Sequence, residues 1–135
     1  MDIRRALEAE AAALVATKAG DAEIAGIEAK LERMEAVHRK YGSAPQEDWE
    51  FHLAIYDATG NPLFGQIVAT MYEAFHDFFS HPFGQQDFAR RSFHLHRELF
   101  DAIKARDPEA ARRKTLAILE IVEQDVRAAP HGDAR

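Results

Sequence analysis

The sequence predicts an all-α protein, an antiparallel bundle of about six helices. Three observations lead there: apolar residues recur at three- and four-residue steps, no stretch alternates in the manner of a strand, and glycine and proline cut the 135 residues into six segments. Connections of only a few residues between such segments favour antiparallel neighbours around one core. A chain of this length fits a single domain, residues 1–135.

The first helix is expected from about Ile3 to Lys18, directly after Met1 and with no leader before it, stopping near Gly20. Asp21 is placed to cap a second helix that uses Ile24, Ile27, Leu31 and Met34 and ends around Tyr41-Gly42. Pro45 suits the first turn of a third helix that reaches about Thr59, with Gly60 as terminator. Asn61-Pro62 then reads as cap and first residue of a fourth. That fourth helix, through about Ser80, is so widely apolar (Leu63, Phe64, Ile67, Val68, Met71, Phe75, Phe78, Phe79) that it is expected at the centre of the core. A fifth helix is expected from about Asp87 to Arg106. Asp107-Pro108 repeats the cap-then-proline device and opens a sixth through about Arg127.

Composition narrows the function classes. The net charge of −6 argues against a general polyanion binder, because non-specific nucleic-acid affinity comes from lysine and arginine neutralising phosphates. The absence of cysteine excludes disulfides, thiolate metal sites and thiol nucleophiles. No apolar run approaches the roughly eighteen residues of a membrane span, and a cytoplasmic protein is expected.

Two helices carry polar groups where leucine would be ordinary. Asp48 and His52 stand one turn apart on the third helix, in a stripe with Ile55 and Tyr56, and His96 interrupts the Phe93, Leu99, Phe100, Ile103 stripe of the fifth. Buried unpaired, each would cost several kcal/mol. Two imidazoles and a carboxylate facing one cavity suit a divalent transition metal such as zinc, nickel or manganese. A hydrogen-bonded Asp48–His52 pair beside a satisfied core histidine accounts for the same spacing. His76 flanks the fourth-helix stripe and can point either into the cavity or to its rim. No phosphate loop, nucleophile elbow or H-E-x-x-H helix is present, so the sequence supports no enzyme mechanism.

Three ordered stretches, "RRALEAEAAALVA", "DWEFHLAIYDATGNPLF" and "HRELFDAIKARDPEAARR", resemble the FCD domain, the effector-binding C-terminal domain of FadR-type regulators in the GntR superfamily. Six helices are similar to its VanR-like subgroup. The resemblance implies a homodimer that binds a small organic acid, with a metal held by an Asp or Asn and three histidines. It assigns the first three ligands to Asp48, His52 and His96. The fourth falls eleven residues after Asp107, where this chain has Ile118. Isoleucine cannot coordinate, so either water or effector oxygen completes a metal sphere, or the polar groups bind the effector directly. Arg4 matches the first-helix arginine and is a candidate partner for an effector carboxylate. DNA binding is implied only through a separate N-terminal winged helix-turn-helix domain, which these residues do not contain. An all-helical metal-dependent enzyme using the same triad, and a ligand-free dimerisation module, are the alternative readings.

Overall fold

In a computed structural model, described over residues 2–80 and 91–128 apart from the side chains of residues 72, 74–80, 126 and 128, the described residues form six α-helices. They are α1 (Asp2–Lys18), α2 (Asp21–Tyr41), α3 (Pro45–Asp57), α4 (Pro62–Ser80), α5 (Phe93–Lys104) and α6 (Pro108–Ala128). Among these residues there is no strand, and no helix is long and apolar enough to cross a membrane.

The punctuation marks act largely as their chemistry dictates. Gly42 adopts a left-handed φ of 80° and its N–H closes α2 onto the His38 carbonyl at 2.7 Å. Gly60, at φ 81°, ends the turn after α3, and the Asn61 side chain accepts the Leu63 N–H at 3.0 Å to start α4. Asp107 caps α6 through the Ala110 N–H at 3.0 Å. Asp21 does not cap α2: Gly20 occupies the cap position, its N–H donates to Glu23 Oε1 at 2.9 Å, and Asp21 is instead the first helical residue, 3.2 Å from Arg106.

The fifth helix also departs from expectation. Its anticipated start at Asp87 lies outside the described residues, while Arg91 and Ser92 form a turn and the helix opens at Phe93. It closes at Lys104 because Arg106 takes a left-handed φ of 61°, letting the Asp107 N–H reach back to the Ala102 carbonyl at 3.0 Å. The Arg106 guanidinium holds that corner by donating to the Ala19 carbonyl.

Cross-helix ion pairs give the directions. Arg5 meets Glu123 and Glu10 meets Arg112, so α1 and α6 are antiparallel. Lys114 with Glu98 and Arg91 with Asp125 set α6 against α5, and Arg97 with Glu35 together with Lys104 with Glu28 sets α5 against α2. The tight turn at Gly42 reverses α2 into α3. Helices α1, α3 and α5 therefore run the same way.

Phe75, Phe78 and Phe79 of α4 lie outside the described side chains; among those described, the centre belongs to α1. Small side chains (Ala9, Ala11, Ala12, Ala13, Ala16) bury its face and let its neighbours approach closely, beside Val15 and the single buried acid Glu8. Between Pro62 and Met71, by contrast, Leu63 is 55% and Ile67 43% exposed, and only Gly65 and Val68 are buried. The described part of α4 packs on α3 and α1 from one side.

Candidate functional site

Asp48 and His52 reach the interior because of how α3 begins. Pro45 fixes the first turn, and Glu47 and Asp48 put acidic groups at the positive end of the helix dipole. Four residues per step then stack His52 over Asp48 and Tyr56 over His52, with the His52 and Tyr56 ring centroids 6.3 Å apart. From the opposite side, α5 brings His96 in its first turn, and Ile103, Leu99 and Phe100 bury the same face.

The three side chains converge on one point. His52 Nε2 lies 3.1 Å and His96 Nε2 3.2 Å from the same oxygen, Asp48 Oδ1, and the two imidazole nitrogens are 3.1 Å apart. Phe51 packs edge-on against both rings, with centroids 5.2 and 5.8 Å away. His96 is fully buried, whereas the Asp48 side chain keeps 26% of its surface exposed, so the group opens on one side.

The protonation pattern follows from the contacts. His96 Nδ1 donates to the backbone carbonyls of Ser92 and Phe93, at 3.0 and 3.2 Å, which leaves Nε2 facing Asp48 and His52: it donates to Asp48 when the ring is charged and offers a metal its lone pair when the ring is neutral. Burial alone would raise the Asp48 carboxyl. The charge of His96 and hydrogen bonds from both imidazoles outweigh it and hold that carboxyl well below the usual carboxylate range. Burial likewise opposes a charged His96, but Asp48 and the backbone acceptors raise it above an ordinary histidine.

This donor set fits a small divalent cation. Two imidazole nitrogens and a carboxylate oxygen are borderline ligands. Bonds of about 2.0–2.1 Å put neighbouring ligand atoms about 2.9–3.4 Å apart, the range in which all three separations fall. The backbone bonds of His96 are the supporting contacts that a ligating histidine uses to fix its ring. Among the described residues, Asp48, His52 and His96 form the group whose ligand atoms lie within 4.8 Å of one another.

The other anticipated residues fall at different distances from this point. Arg4 is tied to Glu8, with Nε donating to Oε2 at 2.6 Å. Ile118 is buried in α6, within the common core. The His76 side chain lies outside the described residues. Two residues beyond this group carry no assignment from the sequence: Glu8, buried on α1, and Tyr56, which packs beside the His52 ring and whose hydroxyl donates to Glu8 Oε1 at 2.6 Å. The available signal was Arg4 and Glu8 one turn apart on the first helix, and nothing local marked Tyr56 as their partner.

Known proteins share this architecture. The solved structure of Streptococcus agalactiae GntR is similar to the chain with a TM-score of 0.76 and 25% sequence identity over 92% of its residues. The match covers 56% of that protein, so the chain spans little more than half its length. Comparison with curated proteins finds no match. The FCD domain family model matches residues 1–121, spanning the first-helix arginine, the α3 motif and the α5–α6 signatures, and the chain belongs to the FCD domain family.

Proposed function

We propose that the chain is the effector-sensing and dimerisation domain of a GntR/FadR-type bacterial transcription regulator of the VanR-like kind, taking a small organic acid at Asp48, His52 and His96. The observation that carries this reading is the convergence of three ligand atoms, all within 4.8 Å of one another, from α3 and α5. A family of regulators with this fold supports binding and release of a metabolite over turnover.

A divalent metal is the first form of the site. When bound, it supplies a positive attachment point for an effector oxygen. The protein's own part is to hold His96 through its backbone bonds, to keep Asp48 ionised, and to leave the vacant coordination side toward the Asp48 opening. Ile118, in place of a fourth protein ligand, would leave one more position to water or an effector oxygen. Arg4 pairs with the effector carboxylate, and Ile118 borders it. A second form is favoured by one contact: the Asp48–His96 pair at 3.2 Å satisfies both groups without metal and would act as a hydrogen-bonding floor. Effector binding would shift the population of dimer arrangements and so the spacing of DNA-binding heads carried on a separate domain.

Elemental analysis of protein purified without chelator tests the metal form. About one transition metal per chain, lost in His52→Ala and His96→Ala, is the expected result. No metal even after adding zinc, nickel or manganese rejects it. A screen of small organic acids then tests the sensor reading, since a ligand at a hundred times its dissociation constant adds about 2.7 kcal/mol of stability.

A further inference from the structure

Glu8 is the one acid in the buried face of α1, and its two oxygens are both engaged. Oε2 accepts Arg4 Nε at 2.6 Å, and Oε1 accepts the Tyr56 hydroxyl at 2.6 Å and, weakly, Arg4 Nη2 at 3.5 Å. The bridge thus joins α1 to α3. A buried ion pair is a poor way to gain stability, because apolar residues of similar volume do as well or better. The alanines around Glu8 show that this face accepts apolar packing.

Placement gives the bridge another use. Because α1 and α3 run the same way, the Glu8–Tyr56 bond sets their register, and one turn back on each helix brings Arg4 level with His52. Asp48 is among the charges that act on the Arg4 guanidinium. Glu8 engages Nε and Nη2 and leaves Nη1 outside the bridge. Arg4 remains partly exposed while Glu8 does not.

We propose that Glu8 and Tyr56 are positioning residues: Tyr56 fixes the Glu8 carboxylate, which holds the Arg4 guanidinium toward the side of the site where Asp48 is open. The assignment of Arg4 to an effector carboxylate rests on the function proposed above. The order of the Arg4 side chain does not.

The test uses ¹⁵N-labelled full chain and reads the Arg4 Nε–H resonance by heteronuclear NOE. In the wild type it should match rigid backbone amides. In Tyr56→Phe and in Glu8→Gln it should fall to the level of exposed Arg39, with the backbone spectrum retained. Calorimetric titration with Zn(II) alone should change by no more than about twofold in Tyr56→Phe, whereas acetate binding to the zinc-loaded protein should weaken about tenfold, the loss of roughly one oriented charged hydrogen bond. A mobile Arg4 in the wild type overturns the proposal, as does an Arg4 that stays rigid in both variants. Unchanged acetate affinity with a loosened Arg4 also overturns it, leaving a structural bridge only. Failure of the wild type to bind zinc or acetate counts against the proposed function instead, and the Arg4 resonance then decides the positioning claim by itself.

Discussion

Asp48 Oδ1 and His96 Nε2 stand 3.2 Å apart across the α3–α5 contact, one side chain half-buried and the other fully enclosed. An acid that is held ionised and a histidine that is biased toward its charged form make a pair whose energetics depend on which of them is removed. Asp48→Asn leaves the imidazole without its counter-charge. Partial exposure of Asp48 screens the loss, so the metal-free variant should be destabilised by about 1–2 kcal/mol, below the range for fully buried pairs. Urea unfolding after chelator treatment measures this.

The same pair gives a pH window for metal-free protein. The Asp48 carboxyl is depressed, so its contribution is complete above its ordinary value of 3.8 and disappears as pH falls through the lower folded value. His96 is raised, so its contribution is complete below its ordinary 6.5 and disappears as pH rises through the higher folded value. Stability from the pair should therefore be greatest between about pH 4 and 6.5 and decline above. Metal affinity should show the opposite trend over that range, because protons compete for the same nitrogen. Urea midpoints from pH 5 to 8, with chelator and with zinc, distinguish the two.

Ile118→His should restore a fourth donor if the site has the metal form. Zinc affinity is expected to rise by about tenfold or more in competition with a chelating dye. Equal affinity in the two proteins would mean that α6 does not address the site at this residue.

Two glycines near the α3–α4 junction should respond differently to alanine. At Gly60 the φ of 81° opposes any Cβ, and Gly60→Ala should cost about 1 kcal/mol or slightly more. At Gly65 a Cβ would come 3.1 Å from Asp57 Oδ1 and 3.5 Å from Leu53 Cδ1. Asp57 is exposed and its carboxylate can swing aside, so Gly65→Ala should lie within about 0.5 kcal/mol of wild type, helix propensity offsetting the contact. Thermal denaturation of both variants checks the contrast.

What the sequence made legible was local. Asn61-Pro62, Asp107-Pro108 and Gly42 announce helix boundaries because cap and turn chemistry is written within four residues. The meeting of Asp48, His52 and His96 was foreseeable as three polar groups on apolar stripes, each needing a partner. The exposure of Leu63 and Ile67 on α4 was not, since apolar width measures how much surface prefers burial and not how many neighbours arrive to bury it. The Glu8–Tyr56 bond was hidden for a related reason: each side chain has an unremarkable local setting, and the partner comes from another helix. Asp21 was misread because Glu23 closes the same turn from the other direction.

The antiparallel pairing of α1 with α6 has a mechanical consequence. Arg5 lies at Glu123 and Glu10 at Arg112, so Asp2 and Ala128 emerge side by side from one end of the bundle. Tension applied between them peels the two helices apart like a zipper, breaking one turn of contacts at a time, instead of shearing the whole interface at once. The first turn to open would carry Arg5, and with it the neighbouring Arg4. A pull on that end of the molecule therefore reaches the Arg4–Glu8 pair before it reaches the alanine core.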